Sequence, residues 1–182
     1  MKKLWRLVLV LVAVFAALTA FASANPATAA TTRVPFNNIN INCDIVSQTM
    51  WVEDGILHIR DRIMEGAVDS DGDYHEGSTR MVANANIDLA TGYGSYWGTL
   101  EIYPNAYPEG YWSGHWSVQV NKGKVGGIAR LKGYGEIDGL LSKADLTPIP
   151  PPLLPTYAYL CNGSTPVSGA HAVGFTMNPG GE

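Results

Sequence analysis

An aspartate, Asp61, falls in the apolar row of the run Ile56 to Glu65, among Leu57, Ile59 and Ile63 and opposite an outer row of His58, Arg60 and Arg62. Desolvated there, its carboxylate would hold a proton more tightly and could serve as a general acid or a ligand anchor. A bulge in the strand would instead turn it to solvent. His115 and Glu101 fall on neighbouring predicted strands and on one face. An imidazole beside a carboxylate can do acid–base work; on the polar side of a sheet, the same two residues form a solvated cross-strand pair. His58, His75 and His171 have no spacing that gathers them, no serine sits in a nucleophile elbow, and neither cysteine has a histidine assigned to it.

Aromatic residues form a third candidate group. Tyr93, Tyr96, Trp97, Tyr103, Tyr107, Tyr111, Trp112 and Trp116 crowd into one stretch and occupy both faces of the predicted strands. Trp112 and Trp116 belong to the core row. That leaves Trp97, Tyr103 and Tyr111 outside, as an apolar contact patch or as rings covered by long loops or the C-terminal tail.

Ions and nucleic acids find less support. Asp69-Ser70-Asp71-Gly72-Asp73 clusters oxygen ligands of the kind a hard cation wants, but the sixth position counted from Asp69 is Tyr74 and the twelfth is Arg80, where an EF-hand loop requires glycine and glutamate. An acidic hairpin tip is the plainer reading, so neither metal nor cofactor is expected. Cys43 and Cys161 lack the CxxC or HxxxH spacing of a zinc site; in an exported chain they are expected to form a disulfide.

The N-terminus supplies that context. Lys2, Lys3 and Arg6 precede an apolar run, Leu7 to Leu18, closing on Ala22-Ser23-Ala24, which is the pattern of a secretory signal peptide over residues 1–24, bacterial in style. The competing reading is an uncleaved anchor, and Ala27-Thr28-Ala29 offers a second cleavage site. Loss of the three leader cations leaves 9 basic residues against 16 acids, a net charge near −7, which disfavours a nucleic-acid partner because such binders need surplus lysine and arginine. The mature chain is expected in the periplasm or outside the cell, without stable membrane insertion. Its oligomeric state is left open.

These residues must be positioned by strands, since no helical period of useful length appears after the leader. A tether over 25–36 leads into Asn38, Asn40, Asn42 and Asp44 alternating with Ile39, Ile41, Cys43 and Ile45, read as a strand with Cys43 on its inner face. Asp54-Gly55 turns the chain into the Asp61 strand. Met81, Ala83, Ala85, Ile87 and Leu89 form another apolar row. The central hairpin places Leu100 and Ile102 opposite Trp97, Thr99, Glu101 and Tyr103, and then Trp112, Gly114, Trp116, Val118 and Val120 opposite Tyr111, Ser113, His115, Ser117 and Gln119. Val125, Gly127, Ala129, Leu131 and Gly133 share one face of a further run, opposite Ile128, Arg130, Lys132, Tyr134 and Glu136, with small residues that suit a bend or the tight wall of a barrel. The prolines of 147–155 predict an extended crossing, followed by short strands over Tyr157 to Cys161 and Ala170 to Met177.

The sum is an all-β, antiparallel up-and-down barrel of about eight strands, one domain over 37–182. The glycine and aromatic spacing of Asp88-Leu89-Ala90-Thr91-Gly92-Tyr93-Gly94, Tyr96-Trp97-Gly98 and Gly133 to Leu140 resembles that of secreted barrels of the allene-oxide-cyclase and dirigent-like kind. No catalytic residue of those families matches here by position, so the resemblance implies a fold and no activity. Binding of a small hydrophobic molecule or a glycan is the expected function; the alternatives are a cyclase- or isomerase-like reaction in the barrel interior and a structural or interaction role. The abundance of tryptophan and tyrosine favours binding.

Overall fold

Residues that alternate in sequence pair with the next run along the chain until the last strand returns to the first. The structure, a computed structural model, describes residues 31–72, 74–122 and 124–179. In it β1 (Thr32–Glu53), β2 (Ile56–Ser70), β3 (Gly77–Asp88), β4 (Gly94–Pro104), β5 (Tyr111–Asn121), β6 (Lys124–Tyr134), β7 (Leu141–Pro148) and β8 (Ser168–Asn178) form a closed barrel in chain order, every pair antiparallel. The segment read as a signal peptide lies outside the described residues. Among those described, no helix is long and apolar enough to cross a membrane.

The wall is strongly staggered. Paired residues followed once around it from Val34 lead to Ile45, 11 residues further along β1. Stagger and tilt of this kind widen a barrel for a given number of strands, which leaves space inside. Backbones nonetheless approach closely: a Cβ at Gly98 would collide with the carbonyl of Val82, and one at Gly114 with that of Arg130, so these positions demand glycine.

One end of the barrel is filled. Trp112 is 0% exposed and its Nε1–H donates to the Tyr74 carbonyl at 2.7 Å, with Val68, Ile102, Leu131 and Ile137 packed around it. A second buried cluster, Phe36, Val118, Ala129, Ala144, Leu146 and Ala172, continues up the wall of β5 to β8 and β1.

Four expectations are corrected here. The tether does not extend to residue 36, because β8 pairs with β1 from Thr32 onward. On β1 the faces are inverted: Asn38 is 2% exposed, Asn40 and Asn42 line the interior, and Ile39, Ile41 and Cys43 face outward. Ile41 is buried all the same and Ile39 and Cys43 are half-buried, because the segment Pro151–Cys161 packs over them together with Ile149. That segment is neither an extended crossing nor, over 157–161, a strand; it is 3₁₀-helical, opening with prolines at positions that need no N–H donor. Cys43 and Cys161 are joined, with Cα atoms 5.3 Å apart, and this disulfide pins the segment to β1.

Candidate functional site

The unfilled end of the barrel holds a cavity of about 280 Å³. Its wall is built from the inner rows of most strands: Ile59 and Met64 of β2, Met81, Ala83 and Ala85 of β3, Tyr96 and Leu100 of β4, Trp116 and Val118 of β5, and Leu146 of β7. Val120, Val125, Pro148 and Ala170 mark its mouth, where strand ends meet the β5–β6 turn and the exit of β7.

Arg62 reaches this space because β2 is bulged. The pairing with β3 runs from Ile59 opposite Ala85 directly to Arg62 opposite Ala83, so Arg60 and Asp61 share the width of one residue. Asp61 takes the left-handed backbone, φ 49°, that such an extra residue often adopts and that aspartate tolerates better than most. Its side chain is exposed, and its N–H donates to Asn84 Oδ1 at 3.2 Å. Asp61 therefore does not line the cavity. Arg62, read in sequence as an outer residue, does.

Several polar groups accompany Arg62. Its Nε donates to Gln48 Oε1 at 2.8 Å, and a terminal nitrogen lies 3.4 Å from Met50 Sδ. Burial holds the guanidinium below its ordinary pKa, and burial pushes the Tyr96 phenol up, with the neighbouring charge of Arg62 pulling it back. Asn42 Nδ2 donates to Ser168 Oγ at 2.9 Å. Asn40 Oδ1 is buried with no hydrogen-bond partner among the described residues. An orphaned acceptor on a cavity wall awaits a donor from water or from a bound molecule.

His75 belongs to the filled end instead. It is 2% exposed, stacked on Trp112 at 4.9 Å and tilted against Phe36 at 4.4 Å, with Nε2 3.2 Å from Ser142 Oγ. Burial lowers its pKa to about 4, so the ring is neutral near pH 7.

The outward candidates divide into two groups and include no acid–base pair. Trp97 is 37% exposed, but the Arg60 guanidinium lies 5.3 Å from its ring centre, between it and Trp51. Further along the wall Tyr103, Tyr111 and Tyr134 stack in series across β4, β5 and β6 at 6.1 and 5.0 Å, and the Tyr103 hydroxyl donates to Glu101 Oε2 at 2.8 Å. His115 pairs across the sheet with Thr99 and Arg130, whereas Glu101 pairs with Ser113. The acidic tip is also committed: Asp69 accepts from the Tyr159 hydroxyl at 2.7 Å, and Asp71 from the Asn37 N–H at 2.8 Å.

Sequence reasoning passed over Arg62, Asn40, Asn42 and Ser168, and named Tyr96 only within the crowded aromatic group. The signal for Arg62 was present, because a break in alternation at Asp61 is also a shift of every later residue by one face. No protein-family model, curated protein or solved structure matches this chain.

Proposed function

We propose that this protein binds a small, largely apolar molecule in the open half of its barrel. The observation that carries the reading is the cavity itself: about 280 Å³, close to the lower end of the range usual for small-molecule sites. At about 30 Å³ per water it would hold some nine waters, which corresponds to a ligand of roughly ten non-hydrogen atoms. An apolar lumen of this shape offers favourable burial to such a ligand and little to a larger sugar chain.

Proton-transfer chemistry finds less support, since the described residues that line the cavity include no carboxylate and no imidazole. A disulfide tying β1 to the 3₁₀ segment fits an oxidising compartment and supports the reading of this protein as an exported one.

Calorimetric titration with 1-octanol tests the proposal. Saturable binding at one site is expected. Ala83→Phe, which places a ring into the lumen from a buried position on the wall, should abolish that binding while the thermal transition persists. Absence of binding to the native protein, or undiminished binding to the filled variant, would sink the proposal.

A further inference from the structure

The lumen reading leaves the chemical class of the ligand open, and the following inference rests on that reading. Among the described residues that line the cavity, Arg62 is the one that carries a charge. A guanidinium presents its N–H donors in a planar fork that matches the two oxygens of a carboxylate. Gln48 and Met50 engage one side of that fork, and the other terminal nitrogen has no protein acceptor among the described residues.

A cation drawn partly out of water without a counter-ion is costly to maintain. Ordinarily a neighbouring aspartate or glutamate offsets the cost. Here the adjacent carboxylate, Asp61, is turned to the outside by the bulge that turns Arg62 inward. The other polar groups of the described lining are neutral: the Tyr96 hydroxyl, Asn84, the bonded pair Asn42 and Ser168, and the Asn40 oxygen, which has no partner among the described residues.

We propose that the cavity selects a small amphiphile with one carboxylate, whose charged end pairs with Arg62 and whose apolar body lies among Met64, Met81, Leu100 and Trp116. The Gln48 contact holds the guanidinium in place before the ligand arrives, so less side-chain freedom is lost on binding. A cationic amphiphile of the same length would be repelled by the same charge. Asn40 Oδ1 is left as an acceptor for a hydroxyl or a retained water.

The experiment compares octanoate, 1-octanol and octylamine by calorimetry at about pH 7.5 and low salt, on the native protein and on Arg62→Gln. Octanoate should bind about ten- to a hundred-fold more tightly than octanol, the range expected of a charge-assisted hydrogen bond, and octylamine should bind more weakly than octanol. In Arg62→Gln the advantage of octanoate should vanish while octanol affinity is retained, which also shows that the variant is folded. Octanol binding as tightly as octanoate to the native protein would overturn the carboxylate inference and leave the lumen reading standing. Failure of both to bind would remove the lumen reading and this inference with it. An octanoate preference that survives Arg62→Gln would place the charged end elsewhere and overturn the role of Arg62. The native three-ligand series decides the ligand class even if Arg62→Gln does not fold.

Discussion

Ile59 and Arg62 face the same side of the barrel wall although three positions separate them on β2. In a regular strand residues at that separation face opposite ways. The extra residue is absorbed at Asp61, and its consequence is chemical: the acid of this segment lies outside and the base inside. A lumen that alternation alone would have furnished with a carboxylate is furnished with a guanidinium.

The bulge makes a backbone prediction. Asp61 holds a positive φ of 49°, which costs a side-chain-bearing residue about 1–2 kcal/mol and a glycine almost nothing. Asp61→Gly should therefore leave stability unchanged or raise it by up to about 1 kcal/mol, whereas the β-branched Asp61→Val should lower it by about 1–2 kcal/mol. Deleting Asp61 would convert the bulge into regular pairing and bring Arg62 from three positions to two from Ile59, which keeps both on one face. That variant should fold and keep any preference for octanoate over octanol; urea titration and calorimetry check both expectations. Loss of the preference on deletion would mean that the bulge geometry, and not the face alone, aims Arg62.

The disulfide makes a prediction about stability. Cys43 and Cys161 close a loop across 118 positions of sequence, for which chain entropy predicts a stabilisation of about 4–5 kcal/mol. For a domain of this size that corresponds to a fall of about 10 °C or more in melting temperature on reduction. The 3₁₀ segment would loosen first, exposing Ile41 beneath Leu154. Proteolysis near 151–161 should accordingly be faster after reduction than before. Unchanged melting under reducing conditions would contradict this account.

The barrel was legible in sequence wherever one row is plainly more apolar than the other. Trp112, Gly114, Trp116, Val118 and Val120 announce their inner face, and the structure places that row inside. β1 was legible as a strand but not in its orientation. Asn38, Asn40 and Asn42 line the interior while Ile39 and Ile41 lie beneath a distant segment, and period two fixes which residues share a face without saying which face is inside. The cover over the isoleucines comes from more than a hundred residues away, out of a proline run that invites an extended reading. Arg62 was misplaced for a related reason: one inserted residue exchanges the rows, and side-chain type alone cannot show where the insertion is absorbed.

His75 makes the barrel's stability depend on pH. Its pKa is lowered to about 4 in the folded protein from an ordinary 6.5, and the groups packed on it are the rings of Phe36 and Trp112 and the hydroxyl of Ser142. Between those two values the unfolded chain binds a proton that the folded chain does not. Stability from this site is therefore fully present above about pH 6.5, declines as pH falls, and stops changing below about pH 4. The full difference is about 3 kcal/mol. Carboxylates also titrate at the lower end of this window, so the measurement is a comparison: unfolding free energy against pH for the native protein and for His75→Gln. The native curve should rise more steeply from pH 4 to 6.5; parallel curves would show that the imidazole is not buried and neutral.

The last prediction separates a site inside the barrel from one on its outer face. Trp116 lines the cavity with its Nε1–H donated to the Thr99 carbonyl at 3.2 Å, whereas Trp97 lies outside with one face toward Arg60. A ligand in the lumen changes the surroundings of the Trp116 indole directly and those of Trp97 hardly at all. Trp116→Phe should therefore remove most of the fluorescence change that octanol or octanoate induces, and Trp97→Ala should preserve it. A glycan stacking on the outer aromatics would give the opposite order, and to use Trp97 it would have to compete with a cation–π contact worth about 0.5–1 kcal/mol at an exposed position. The tyrosine row is more open to such a ligand, since Tyr103 is 42% exposed and Tyr111 37% exposed. If Trp116→Phe leaves the ligand response intact while Tyr111→Ala or Trp97→Ala abolishes it, the binding site lies on the outer wall.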